Sequence, residues 1–344
     1  MKHRVVDRGG VRLTEIGLGG APIGNLFAAV EDETAHAAVS AAWNMGVRYF
    51  DTAPYYGLGL SERRLGEALA DMNPAEFALS TKVGRRLVPE YSVGSTELVD
   101  GQWAVPRTHT VVRDYSRDGI RRTLDGSLER LRRDGVDIVF IHDPDDHLDE
   151  VEMTTAPALA SLRDEGIISA FGVGTSDWRA AERLVRTTDI DIVMIAGRWT
   201  LADRSATTLL ETCAALSKSV VIAGPFNSGL LARPWPRDDA RFEYQPAPDA
   251  TIRRARDLAV LCDRYGVTLP DAAVQFPLRS GVVRSVVVGM ATPEEVMADL
   301  AHACANIPDE LWRQLDIADP VSVPIVDTRT TLGRSPRPGP VPDS

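Results

Sequence analysis

The chain has few cysteines: only three in 344 residues, Cys213, Cys262 and Cys304, and they lie far apart. An odd number at such spacing predicts neither a disulfide framework nor a CxxC metal site. We therefore expect reduced, buried thiols.

Long hydrophobic runs are absent as well. No stretch approaches the roughly 18 continuous apolar residues of a membrane span, and the N-terminal "MKHRVVDRGG" lacks the apolar core of a secretory signal. Basic residues are outnumbered, with 38 Lys and Arg against 49 Asp and Glu, and they are mixed with acidic ones. These features predict a cytoplasmic protein without a membrane or nucleic-acid partner. The oligomeric state is left unspecified.

Short apolar runs alternate with amphipathic segments along most of the chain. The predicted strands span residues 15–20, 47–52, 77–82, 136–142, 168–174, 191–197, 219–224 and 284–290. The predicted helices span 34–46, 61–71, 116–134, 154–165, 178–187, 204–216, 251–265 and 293–304. Eight such α/β units favour a closed (β/α)8 TIM barrel over an open doubly wound sheet, which remains the alternative.

Two segments fall outside this repeat. Residues 85–115, which include Trp103, form a long connection after the third strand, and loops of this length in compact domains are usually functional or disordered. The last residues are rich in Pro, Gly and Ser. We predict one barrel domain over 1–320 and a C-terminal tail over 321–344.

Polar residues end three otherwise apolar strands: Asp51, Lys82 and His142. The active site of a barrel forms where these strand ends meet. Tyr56, five residues beyond Asp51, could exchange a proton with a substrate oxygen, if the ammonium of Lys82 lowers the pKa of its phenol. Asp51 would orient Lys82, and His142 would bind the substrate oxygen. Taken singly, each residue also fits a structural role; their occurrence together favours catalysis.

The motifs "FDTAPYYGLGLSERRLG", "STKVGR", "VDIVFIHDPDD" and "LRDEGIISAFGVG" resemble the aldo-keto reductase family. The resemblance implies a nicotinamide-dependent oxidoreductase whose catalytic tetrad is Asp51, Tyr56, Lys82 and His142. The segments "LTEIGLGGAPIGNLF" and "HDPDDH" further resemble a subgroup that oxidises the anomeric hydroxyl of an aldose, such as L-fucose or D-arabinose, or the pyridoxal hemiacetal, to a lactone.

The run "HDPDDH" also has the residue types of a metal site. Consecutive loop residues rarely converge on one point, and Pro144 restricts this turn further. We therefore predict no metal.

The family resemblance also implies cofactor contacts. After strand five they are Thr175 and Ser176, and after strand six Trp199 resembles the aromatic residue that stacks on the nicotinamide ring. Small residues after strand seven allow backbone N–H groups to approach a pyrophosphate. The remaining candidates are Gly224, Phe226, Asn227, Ser228, Gly229 and Leu230, followed after strand eight by Gly289, Met290, Thr292 and Glu295.

The acidic start of the last predicted helix, with Glu294 and Glu295, favours NAD over NADP, although Arg284 precedes this turn. For the substrate we predict contacts from Tyr56, His142 and Trp103, whose flat ring could pack against a pyranose. Two alternatives stay open: an NADP-dependent aldehyde or ketone reductase, and a nicotinamide-binding sensor or regulatory barrel.

Overall fold

The computed structural model describes residues 1–90 and 98–318. Eight parallel strands pair in chain order, and the eighth pairs with the first, so that they close a barrel. The strands are β1 (Ile16–Gly19), β2 (Tyr49–Asp51), β3 (Ala78–Val83), β4 (Val136–His142), β5 (Ile168–Thr175), β6 (Ile192–Ala196), β7 (Ser219–Ala223) and β8 (Val283–Gly289). The predicted barrel is confirmed, and the open-sheet alternative is wrong.

Helices surround the barrel and cover the outer faces of its strands. They are α1 (Asp32–Asn44), α2 (Leu60–Ala68), α3 (Arg117–Leu131), α4 (Ala156–Asp164), α5 (Trp178–Thr187), α6 (Thr207–Ala215), α7 (Asp249–Asp263), α8 (Leu269–Gln275), α9 (Pro293–Cys304) and α10 (Asp309–Ile317). Short helical turns, Leu148–Glu150 and Val151–Thr155, lead into α4. Among the residues that the structure describes, no helix combines the length and apolarity needed to cross a bilayer.

Alternation of side chains along each strand divides the core in two. In β4, Ile138 and Phe140 pack inside the barrel, whereas Val139 and Ile141 pack outward against the helices. This is the two-residue period of a β-strand, in which successive side chains point to opposite faces. The same period decides which side chain each strand presents at the barrel mouth.

Two helices, α8 and α10, were not predicted. Helix α8 has only seven residues, but Thr268 and Asp271 form a reciprocal capping box at its start. Together with α7 and α10 it packs around a second apolar cluster that includes Leu201 and Leu230. Periodicity is a weak signal over so short a segment.

Hairpins add to the barrel at both ends. Strands His3–Val5 and Arg12–Thr14 pair near its N-terminal end, where Leu13 joins the interior cluster. In the segment predicted as a long connection, Arg85–Pro89 pairs with His109–Arg113, so this part is a β-hairpin. The predicted tail, 321–344, lies outside the described residues.

Candidate active site

Three polar side chains enter the C-terminal mouth of the barrel because of strand alternation. Asp51 follows the inward-facing Tyr49 by two residues, and His142 follows the inward-facing Phe140 in the same way. Lys82 holds the corresponding position in β3, four residues after the inward-facing Ala78. All three are buried at the same end of the barrel.

Asp51 and Lys82 form a buried ion pair. The Lys82 Nζ donates to Asp51 Oδ2 at 2.7 Å and to the Thr52 carbonyl at 2.9 Å. The other carboxylate oxygen of Asp51 accepts from Ser80 Oγ at 2.7 Å. Burial lowers the pKa of Lys82, but the charge of Asp51 and contacts with Asp51 and Tyr56 outweigh it and raise this pKa above its ordinary value. Lys82 is therefore held as an ammonium ion.

Tyr56 reaches the pair from the loop that follows β2. The Lys82 Nζ lies 4.7 Å from the centre of the Tyr56 ring. The loop turns at Gly57, whose φ is +64°, and a Cβ at this residue would lie 2.2 Å from the Gly24 carbonyl oxygen. Only glycine fits this close approach, which sets the place of Tyr56.

The phenol of Tyr56 departs from the prediction in one respect. Burial raises its pKa to about 12, although the charge of Lys82 lowers it, and the charge of Asp51 raises it further. The predicted net lowering is therefore wrong for the protein alone, because loss of solvation outweighs the neighbouring ammonium. Lys82 limits the rise and offers the positive charge that a phenolate would need.

His142 is a neutral imidazole at physiological pH. Burial, followed by the charges of Arg85, Lys82 and Arg113, holds its pKa well below the ordinary value. Its ring lies edge-on to Tyr56, with 5.9 Å between centroids. The buried Nδ1 has no hydrogen-bond partner among the described residues, so a neutral histidine has bonding capacity left for a ligand.

These four residues open into a cavity of about 350 Å³. Most of its remaining wall is small or apolar and comes from the loops after several strands. The lining residues are Gly19, Ala21, Pro22, Leu26, Asp51, Tyr56, Lys82, His142, Asp143, Gly174, Thr175, Met194, Ala196, Ala223, Gly224, Pro225, Phe226, Ser228, Gly229, Ala232, Tyr244, Val287, Val288 and Gly289. A mostly apolar cavity with a few convergent polar groups is typical of a ligand site.

Six of the predicted cofactor residues line the cavity: Thr175, Gly224, Phe226, Ser228, Gly229 and Gly289. The other seven do not: Ser176, Trp199, Asn227, Leu230, Met290, Thr292 and Glu295. Four of the six lie in the loop after β7, and the resemblance could not say which side chains of each loop face the cavity.

Most of the seven have structural partners. Leu230 and Met290 are fully buried in the apolar core. The side chain of Asn227 donates to the Gly197 carbonyl at 3.1 Å and accepts from Thr200 at 2.7 Å, so it joins two loops. These side chains are committed to packing and to hydrogen bonds inside the protein.

Polar groups at the start of α9 form hydrogen bonds with one another. Thr292 accepts from the Glu295 backbone at 3.2 Å, and the Glu295 carboxylate accepts from the Ala291 N–H at 2.7 Å. Ser176 is exposed, and its carbonyl accepts from Arg198. Glu295 therefore caps the helix end, and one of its oxygens is already occupied.

Trp199 lies in a different place from the one predicted. It packs against Phe276 with 5.4 Å between ring centroids and lines a separate cavity of about 210 Å³ with Arg204. The chain leaves β6 through Gly197, where φ is +68°, and carries Trp199 past the mouth. Its predicted stacking on nicotinamide does not agree with this position.

Trp103 is only 2% exposed and does not line the cavity. Its ring packs against Tyr55 and Tyr56 at 5.4 and 5.6 Å. It supports the catalytic tyrosine candidate from behind, so the predicted packing of its face on a sugar is not possible in this arrangement.

Several lining residues were missed, notably Asp143 and Tyr244. Asp143 directly follows His142, and this adjacency was the available signal. Tyr244 is part of a small hairpin, Arg241–Phe242 with Gln245–Pro246, more than a dozen residues after β7. Nothing local in the sequence connects that hairpin to the mouth.

The groups present can accommodate a nicotinamide cofactor. The backbone N–H groups of Phe226 and Ser228 have no acceptor within the described part of the chain, and they lie in the cavity wall after β7. Free N–H groups in a turn favour a phosphate. Gly229, with open space where a Cβ would stand, leaves room above the turn. Within residues 1–90 and 98–318, no three His, Cys, Asp or Glu side chains are arranged to hold a metal ion.

Comparison with known proteins identifies the family of this chain. Residues 15–320 match the model of the aldo/keto reductase family. The chain is 42% identical to the D-threo-aldose 1-dehydrogenase of a Pseudomonas species, covering 92% of this chain and 97% of that protein. It is 37% identical to the pyridoxal 4-dehydrogenase of Microbacterium luteolum, covering 91% and 96%.

A solved structure supports the fold. The holo form of the aldo-keto reductase AKR11C1 from Bacillus halodurans superposes with a TM-score of 0.73 at 24% identity, covering 94% of this chain and 99% of that one. Members of this family are oxidoreductases that use nicotinamide cofactors. With a family match over most of its length and two relatives above 30% identity, the chain belongs to the aldo/keto reductase family.

Proposed function

We propose that the protein oxidises the anomeric hydroxyl of a cyclic aldose, such as L-fucose or D-arabinose, to a lactone by hydride transfer to NAD. The pyridoxal hemiacetal is the second substrate class. The observation that carries this proposal is the meeting of the Tyr56 phenol, the Asp51–Lys82 pair and a neutral His142 in one cavity. The names of the two relatives support the substrate class.

The chain's residues would divide the work as follows. Phe226 and Ser228 would help to hold the cofactor in the cavity, and its oxidised nicotinamide would supply the hydride acceptor. Tyr56, as the phenolate that the Lys82 ammonium stabilises, takes the hydroxyl proton as the carbonyl forms and becomes the neutral phenol. Asp51 keeps Lys82 charged and in place, while neutral His142 donates a hydrogen bond to the substrate oxygen.

NAD is favoured over NADP by the groups around the start of α9. That turn carries Glu294 and Glu295, and a carboxylate suits a ribose hydroxyl better than a phosphate dianion. Arg284 was the basic residue that weakened this inference. Its guanidinium pairs with Asp7 at 2.6 Å, at the opposite end of β8 from the cavity, so it is not available to a 2′-phosphate.

Replacing Tyr56 with Phe tests the proposal. We expect turnover of L-fucose, L-galactose, D-arabinose or pyridoxal, followed by nicotinamide absorbance, to be lost, while the Kd for NAD stays near that of the wild type. Tyr55→Phe is a matched control, because Tyr55 directly precedes Tyr56 in the chain but does not line the cavity. Equal activity in Tyr56→Phe would refute the role of this phenol.

The same absorbance measurement, extended to NADPH and simple aldehydes, separates the two alternative functions. Tyr56-dependent reduction of simple aldehydes with NADPH, faster than any sugar oxidation with NAD, would favour the reductase. Binding of nicotinamide without turnover of any member of the panel would favour a sensor.

A further inference from the structure

Asp143 is held in an unusual backbone conformation beside His142. Its φ is +43°, in the left-handed region that residues with a side chain rarely adopt. Two contacts keep it there: the Asp143 N–H donates to the Gly174 carbonyl at 2.9 Å, and the Tyr115 hydroxyl donates to the Asp143 carbonyl at 3.0 Å. Strained conformations of this kind cluster at functional sites.

The carboxylate of Asp143 has one oxygen occupied and one free. Its Oδ2 accepts from Arg85 Nη2 at 2.5 Å and lies 3.7 Å from His142 Nε2. No hydrogen bond to Oδ1 occurs within residues 1–90 and 98–318. The side chain is 31% exposed and lines the cavity. The site therefore presents a charged acceptor next to the histidine that would bind the reacting oxygen.

The charges near the reacting position balance. Asp51 is paired with Lys82, and Asp143 is paired with Arg85, so the two carboxylates and two cations sum to zero. A neutral substrate with a hydroxyl donor suits such a site, whereas an acidic substrate would meet the free carboxylate oxygen. Asp143 Oδ2 lies 3.7 Å from His142 Nε2, and both residues line the cavity. If His142 binds the reacting oxygen, a hydroxyl near that oxygen is the one within reach of Asp143, and in an aldose the 2-hydroxyl is on the neighbouring carbon.

We propose that Asp143 is a specificity-determining residue that accepts a hydrogen bond from the 2-hydroxyl of an aldose, with Arg85 as its positioning residue. The inference rests on the proposed function and deepens it. It separates the two substrate classes, because the pyridoxal hemiacetal has a ring carbon without a hydroxyl at the corresponding position. Asp143 should therefore matter for sugars and much less for pyridoxal.

The test compares D-arabinose with 2-deoxy-D-ribose, its analogue without the 2-hydroxyl. A hydrogen bond to a charged group discriminates by roughly 10- to 100-fold, so the wild type should prefer D-arabinose by about that ratio in kcat/KM. In Asp143→Ala the ratio should fall towards one, mainly through loss of activity on D-arabinose, and in Asp143→Asn, whose amide oxygen still accepts a weaker hydrogen bond, it should fall partway. The Kd for NAD should be unchanged, which also reports that the variants are folded.

Asp146→Asn is the matched control, since Asp146 lies in the same loop, is 74% exposed in its side chain and does not line the cavity. Its sugar ratio should equal that of the wild type. Equal loss of activity on both sugars in Asp143→Ala would mean that Asp143 only maintains the loop, and an unchanged ratio in Asp143→Ala would mean that it does not bind the 2-hydroxyl. Either result overturns the inference.

Failure of the proposed function gives a different result. If the wild type oxidises neither sugar, the proposed function falls, and the same ratio is then measured for reduction of glyceraldehyde against propionaldehyde. A preference for glyceraldehyde that disappears in Asp143→Ala would still support the role of Asp143. Absence of such a preference in the wild type would overturn it.

Discussion

The buried pair of Asp51 and Lys82 makes a sharp prediction for stability. Both side chains are 3% exposed, and their charged atoms lie 2.7 Å apart. Removing one partner leaves a buried charge uncompensated, so Asp51→Asn or Lys82→Met should each lower the free energy of unfolding by about 3–5 kcal/mol. The double variant leaves neither charge, so it should cost clearly less than the sum of the two.

The pH dependence should change sign between the wild type and Asp51→Asn. In the wild type the pKa of Lys82 is raised, so its contribution is fully present below the unfolded value of about 10.4 and is lost as pH rises through the folded pKa. In Asp51→Asn burial acts without the compensating charge, and the folded pKa should fall below the unfolded one. Stability of this variant should then increase as pH rises towards about 10.

Urea unfolding followed by tryptophan fluorescence, repeated at several pH values, measures both effects. The exposed pair of Arg121 and Asp125, 3.1 Å apart on α3, is the control, and its removal should change stability by less than about 1 kcal/mol. Additive costs in the double variant, together with parallel pH profiles, would refute the view that the two charges stabilise one another.

Three further predictions concern the mouth of the barrel. Gly57→Ala should lower kcat sharply, because the added Cβ would lie 2.2 Å from the Gly24 carbonyl oxygen. Gly166→Ala is the control: Gly166 also has a positive φ but lies in open space, so this variant should lose only about 1 kcal/mol of stability and no activity. Steady-state kinetics and urea unfolding measure both variants. Because the pKa of His142 lies well below its ordinary value, the profile of kcat/KM should show no break near pH 6.5 from this residue, and a break that disappears in His142→Gln would contradict this. Trp199→Leu should leave the Kd for NAD unchanged in a fluorescence titration. A large increase in this Kd would instead support the predicted stacking of Trp199 on the nicotinamide ring.

The strands could be predicted from the sequence because their signals are local. Each is a short apolar run bounded by polar or turn residues, and all eight occur within a few residues of the expected positions. The hairpin of Arg85–Pro89 with His109–Arg113 was expected only as a long connection. Its pairing joins segments separated by about twenty residues, and short-range periodicity carries no information about such a contact.

The inward-facing polar residues could be predicted for a related reason. Three of these residues lie at strand ends: Asp51, Lys82 and His142. There the two-residue alternation determines which side chains point into the barrel, and the parallel order of the strands brings them to the same mouth. The loops after β6 to β8 obey no such rule. Asn227 joins two loops through its amide, and Glu295 caps its own helix; both contacts depend on backbone geometry that composition does not reveal.

Tyr56 belongs to neither group, and it shows what the site depends on. It lies in a loop, yet its position follows from the close approach of Gly57 to Gly24, a contact between the loops after β1 and β2. The same loop places its phenol near Lys82, but burial there raises the pKa of the phenol to about 12. To take a proton from the substrate, Tyr56 must first lose its own, so the proposed oxidation at neutral pH would depend on the small fraction of the protein that carries the phenolate. In the proposed mechanism it is not enough that the four side chains lie together, because Lys82 must also remain charged, and the charge of Asp51 favours that state.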